Sequence, residues 1–173
     1  NLYVSDQGNG RVMVWNTSAL AMGATASLVL GQTNFTSKST TASSSIFLGP
    51  DGIWTDGNKL VVSDYSGHRV LLWNSLPSSN GAAAELVLGQ SLMTDVGPNQ
   101  GGLSASSLSS PAGIASDGVK LFVADNQNHR ILVWNTWPNS DNQAADAVIG
   151  QANFSSNIEN QAAPAASLQG LAS

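Results

Sequence analysis

The chain contains no cysteine, and it sets only six Lys and Arg against eleven Asp and Glu in 173 residues. Without cysteine there are no disulfides, no thiol nucleophile and no thiolate metal ligands. No apolar run approaches the roughly 20 residues of a membrane-crossing helix, so no membrane span is expected. Nucleic-acid binders need clustered cations to displace counterions, and a chain of net charge -5 has no such cluster. Catalytic signatures are missing as well. There is no G-x-S-x-G elbow, no glycine-rich phosphate loop after a strand and no D-x-D-x-D calcium spacing. These absences argue against a catalytic residue, a metal or a cofactor in this stretch.

What fills the vacant positions is Asn, Ser, Thr, Gln and Ala. That uncharged polar coat suits a secreted, periplasmic or cell-surface protein of bacterial type better than a cytoplasmic one. The sequence opens on "NLYVSD", inside a strand-like run, without an initiator Met or a signal peptide. It therefore reads as a piece of a longer product.

The strongest positive signal is self-similarity. "DQGNGRVMVWN" (6–16) returns as "DYSGHRVLLWN" (64–74) and as "DNQNHRILVWN" (125–135). Asp6, Asp64 and Asp125 keep step with Arg11, Arg69 and Arg130, with Trp15, Trp73 and Trp134, and with Gln32, Gln90 and Gln151. The spacing is 58 residues and then 61. Within one unit, "GIWTDGNKLVVSD" (52–64) reads as two strands around an Asp56-Gly57 turn. A four-residue loop sets Asp64 opposite Arg69 across a second hairpin. "ELVLGQ" (85–90) supplies a fourth strand after a polar link.

"LVV", "VLLW" and "LVL" do not alternate with polar residues, as expected of strands covered on both faces. Tight hairpins make the sheets antiparallel, and no helical pattern is present to cover them. Copies stacked face to face around an axis satisfy both conditions. A β-solenoid has shorter coils without hairpins, and a β-sandwich does not explain the period. The expectation is an all-β β-propeller: three four-stranded antiparallel blades forming about half of a six-bladed ring. Its repeat units run at about 1–51, 52–112 and 113–173 of a single 1–173 fragment, offset by a hairpin cut. "SLQGLAS" (167–173) matches the innermost strand at "SSPAGIAS" (109–116). Propellers need about four to eight blades, so closure calls for the remainder of the propeller or a second copy.

"DNQNHRI", "DYSGHRV" and the lead-in "PAGIASDG" (111–118) resemble NHL repeats, and the resemblance covers all three units. Gly10 departs from it where His68 and His129 stand. The resemblance implies a propeller that binds protein, peptide, carbohydrate or RNA, and occasionally catalyses. Metal-dependent lyases similar to this family gather histidines from different blades at the axis. His68 and His129 instead share one turn position, which favours a structural role.

The pairs Asp6–Arg11, Asp64–Arg69 and Asp125–Arg130 read as a structural motif that holds each hairpin, because grafted function breaks symmetry. Aromatics that break the repeat are the binding candidates: Trp54, Tyr65 and Trp137. Phe35, Met93 and Phe154 recur after "GQ" and are expected to pin the long connections. Asn16, Asn34 and Asn153 open N-x-S/T triplets that fit N-glycosylation. The expected function is a non-catalytic scaffold engaging a protein or polymer partner through its long interblade loops. The alternative is half of a propeller enzyme, a metal-dependent lyase or hydrolase, with catalytic residues in missing sequence.

Overall fold

A computed structural model describes residues 1–159. Eleven short strands form three antiparallel sheets in chain order. The first contains β1 (Leu2–Asp6), β2 (Arg11–Trp15) and β3 (Leu28–Leu30). The second contains β4 (Pro50–Thr55), β5 (Leu60–Asp64), β6 (Arg69–Trp73) and β7 (Leu86–Leu88). The third repeats it as β8 (Pro111–Ser116), β9 (Leu121–Asp125), β10 (Arg130–Trp134) and β11 (Ala147–Ile149). The first sheet has three strands among the described residues; the segment 167–173, expected to form an innermost strand, lies outside them. Among the described residues, no helix is long and apolar enough to cross a membrane.

Each sheet is a meander whose register follows from its turns. Asp56 closes the β4–β5 hairpin by accepting from the N–H groups of Asn58 and Lys59, with Gly57 at φ 91°. At the other end a single 3-10 turn, Tyr65–Gly67, hands the chain to β6 and pairs Asp64 with Arg69. The residue that closes this turn is left-handed in every copy: Gly10 at φ 60°, His68 at 52° and His129 at 51°. Gly10 thus answers a backbone demand, which glycine meets without the roughly 1 kcal/mol strain of a side chain.

The sheets stack face to face. One core cluster joins Val12, Val14 and Leu30 of the first sheet to Leu60, Val62, Leu71 and Trp73 of the second. Another joins Val61, Val70 and Leu72, on the second sheet's opposite face, to Leu121, Val123, Leu132 and Trp134 of the third. Every residue of β5 and β6 is buried. Among the described residues the outer sheets, similar in sequence, pack on one face only: Leu2 and Val4 are 43% and 42% exposed, and Phe122, Ala124 and Ile131 are half-buried. Missing alternation therefore marks burial on both sides where a neighbour stands on both sides.

Polar contacts fix the stacking. Ser5 Oγ donates to the Asp51 carbonyl at 2.6 Å and Ser63 Oγ to the Ala112 carbonyl at 2.7 Å, each reaching the first strand of the next sheet. A Cβ on Gly52 would overlap the Ala112 carbonyl, so this approach requires glycine. The last strands of the first two sheets, β3 and β7, are covered by the following unit. Val29 donates to Asn80 Oδ1 at 3.0 Å and accepts from Gly81 at 2.9 Å. Val87 does the same with Asp141 at 2.9 Å and Asn142 at 2.7 Å. These bonds occupy backbone groups that an open sheet edge would present to other chains.

Candidate functional site

The meander sorts the candidate residues between two ends. The Asp-Gly hairpins, Trp54 and Trp137 lie at one end. The Asp–Arg turns, Tyr65, both histidines and the long connections 31–49 and 89–110 lie at the other. Connections emerge there because β3 and β7 run toward the Asp–Arg turns and β4 and β8 start beside them.

The Asp–Arg pairs tie the loop-bearing end together. Asp64 Oδ2 accepts Arg69 Nε at 2.9 Å, while the same carboxylate receives the backbone N–H groups of Leu48 and Gly49. Arg69 also donates to the carbonyls of Ile46 and Met93. Arg130 repeats the scheme with Asp125 at 2.7 Å, Phe154 at 2.6 Å and Ser107 at 2.8 Å. Arg11 holds Asp6 at 2.7 Å and the Phe35 carbonyl. Phe35, Met93 and Phe154 are thus pinned through their backbone. Each guanidinium spans a hairpin and the connection leaving its own sheet, a use suited to its fixed fork of donors. Both members of the second and third pairs are wholly buried, while Arg11 and Asp6 keep 19% and 30% side-chain exposure. Burial works against the Asp6 carboxylate, but the Arg11 and Asn9 hydrogen bonds and the Arg11 charge hold it below its usual pKa. Asp56 and Asp117, at the other end, are lowered by the turn N–H groups they accept.

A glutamine clamp accompanies each pair. Gln32 Nε2 donates to the carbonyls of Gly10 at 3.1 Å and Ser39 at 3.0 Å, and its Oε1 accepts Ser39 N–H at 2.7 Å. Gln90 and Gln151 reach the carbonyls of His68 and His129 in the same way. The glycine before each glutamine is also required. Gly31 and Gly89 are left-handed, at φ 80° and 87°, and a Cβ would meet the Phe47 ring or the Leu108 side chain.

Tyr65 sits in the 3-10 turn, half-buried, with its N–H on the Gly49 carbonyl at 2.8 Å. At the same end, Phe35, Leu92 and Val96 of the long connections are all exposed. His68 is a link between sheets. Its Nδ1 accepts the N–H of Ser110 at 3.0 Å, just before β8. Burial lowers its pKa below the usual 6.5, against the pull of Asp64 and Asp125. Nδ1 must be unprotonated to accept this bond. Among the described residues, no three His, Asp or Glu side chains gather as metal ligands.

Trp54 and Trp137 meet at the opposite end, with ring centroids 5.7 Å apart. Lys59 Nζ lies 4.1 Å from the Trp137 centroid, and Trp137 Nε1 donates to Asn74 at 2.8 Å. Both rings pack on the core between the second and third sheets. This geometry is that of a staple between sheets, with neighbouring side chains already on the ring a ligand would need. The three N-x-S/T triplets are turns in which Asn16, Asn34 and Asn153 accept the N–H two residues on, at 3.0, 2.9 and 2.9 Å.

Sequence reasoning missed the capping residues Asn80 and Asp141 and the serines Ser5 and Ser63. The links "SSNGAA" and "NSDNQAA" (78–83 and 139–145) do carry a readable signal, a turn-forming residue at one fixed distance after the repeated tryptophan. Compared with known proteins, the chain matches no protein-family model and no curated protein.

Proposed function

We propose that this chain is a binding module without catalysis of its own, built as an NHL-type segment of about half of a six-bladed propeller. Its recognition surface is the loop-bearing end. One observation carries this reading. Both long connections emerge at the same end and are tied to the hairpins by side chains, 31–49 by Gln32 and Arg69 and 89–110 by Gln90 and Arg130, with exposed residues between the ties. A rigid scaffold that presents variable loops on fixed roots is the usual architecture of recognition. Phe35, Leu92, Val96 and Tyr65 supply apolar contact area there, and Asn and Ser side chains supply hydrogen bonds.

The partner class is an extracellular protein or an uncharged polymer, in keeping with a secreted, periplasmic or cell-surface setting. Nucleic acid does not fit, since all three guanidinium groups are engaged by carboxylates and carbonyls.

An array of peptides and polysaccharides, probed with the labelled chain, tests the reading. Binding is expected to disappear when 33–41 and 91–102 are replaced by Gly-Ser linkers of equal length. It is expected to survive Trp137→Ala. Binding that ignores the loops and depends on Trp137, or cleavage of any polysaccharide on the array, contradicts it.

A further inference from the structure

The two outer faces of the stack are both apolar and open. On the first sheet, Leu2, Val4, Trp15 and Leu20 surround a depression of about 280 Å³. Leu20 is 48% exposed and Met22 is fully exposed. On the third sheet, Ala115, Phe122, Ala124 and Ile131 line one of about 250 Å³. Ile149, beside them on the same face by strand alternation, is 48% exposed.

Repeat position identifies what each face fits. Leu2, Val4 and Trp15 stand where the second sheet has Leu60, Val62 and Trp73, which pack against the first sheet's Val12, Val14 and Leu30. They also correspond to Leu121, Val123 and Trp134, which pack against the second sheet's Val61, Val70 and Leu72. Phe122, Ile131 and Ile149 correspond in turn to Val61, Val70 and Leu88, the second sheet's half of that contact. The open faces are therefore the two complementary halves of an interface that the chain already makes twice.

The backbone is prepared for the same contact. Gly23, at φ 75°, occupies the link position of Gly81 at 64° and Asn142 at 50°. The N–H groups of Gly81 and Asn142 bind the carbonyls of Val29 and Val87. Val29 and Val87 are fully buried, whereas Val148, their counterpart in β11, is only half-buried.

We propose that two copies of this chain associate head to tail, the Leu2–Val4–Trp15 face of each covering the Phe122–Ile131–Ile149 face of the other. The Gly23 N–H then donates to the partner copy's Val148 carbonyl, and the two interfaces close a ring of six sheets. A second copy is the occupant because one chain presents both complementary halves. A heterologous contact of this kind ends only when rotation closes it. The inference rests on the propeller reading, which fixes the rotation between sheets. None of the facing residues named is charged, so salt does not separate the pair.

Light scattering on the purified chain at tens of micromolar tests the proposal, with Val4→Glu and Ile149→Lys as variants. Both replaced side chains are already exposed in the single chain, so each variant keeps its fold. The wild type is expected at twice the 17.8 kDa chain mass, and each variant at the single-chain mass. Mixing the variants restores the two-copy particle, because one wild-type interface re-forms and the other sets Glu on a face opposite Lys. A wild type at single-chain mass that still melts cooperatively overturns the second copy and leaves the propeller reading standing. A variant that stays paired, or a mixture that does not pair, also overturns it. Growth beyond two copies contradicts ring closure, and with it the propeller reading.

Discussion

Arg69 and Arg11 occupy the same repeat position in different surroundings, and the difference has a measurable consequence. Arg69→Ala strands the wholly buried Asp64 carboxylate, so a loss of about 3–5 kcal/mol is expected in denaturant unfolding. Arg11→Ala acts on a partly solvated pair, and about 1 kcal/mol or less is expected. Equal losses at the two sites would contradict the burial described for the second sheet. His68 adds a pH dependence. Its folded pKa lies below the unfolded value of 6.5 because burial disfavours the charged ring, so below that pH the unfolded chain binds the extra proton. Stability from His68 is full above about pH 6.5 and declines as pH falls from there through the lower folded value. Melting temperatures between pH 7.5 and 5 should show this decline in the wild type. His68→Gly, which keeps the left-handed turn and carries no titrating group, should flatten it.

The elements were legible where chemistry repeats. Asp56-Gly57 marks a hairpin in the sequence, and the Asp64–Arg69 register follows from a loop of fixed length, so strands and turns could be read without coordinates. The placement of Trp54 beside Trp137 could not, because it joins residues of neighbouring units whose relative position depends on how the sheets stack. Tyr65 lies at the other end from both because the meander sets the Asp–Arg turns opposite the Asp-Gly hairpins. Nor did the sequence distinguish the buried Asp125 from the partly exposed Asp6, since the two phrases match and only their neighbours differ. The shared turn position of His68 and His129 favours a structural role, but the left-handed backbone of His68 and its bond to Ser110 are visible only in the structure. Gly89 is a sharper case, because a repeated "GQ" announces its importance but not its reason. Its φ of 87° and the Leu108 side chain 2.6 Å from a would-be Cβ predict that Gly89→Ala destabilises by about 2 kcal/mol or more. Gly8→Ala, with open space around the Cβ, should stay within about 0.5 kcal/mol of wild type. Thermal unfolding of the two variants checks both.

At the scale of the molecule, three similar sheets experience unequal environments. The second is covered twice, the first and third once each, and their open faces carry the residues that elsewhere in the chain fill its cores. Amide protection follows burial and cooperative packing more closely than local hydrogen bonding. Hydrogen exchange measured by mass spectrometry on the wild type and on Val4→Glu is therefore the most direct test. In the wild type at assembling concentration, β1–β2 and β9–β10 should exchange as slowly as β5–β6. In Val4→Glu the outer sheets should exchange faster while β5–β6 stays protected. An outer sheet that exchanges as slowly as the second in the variant would contradict the account.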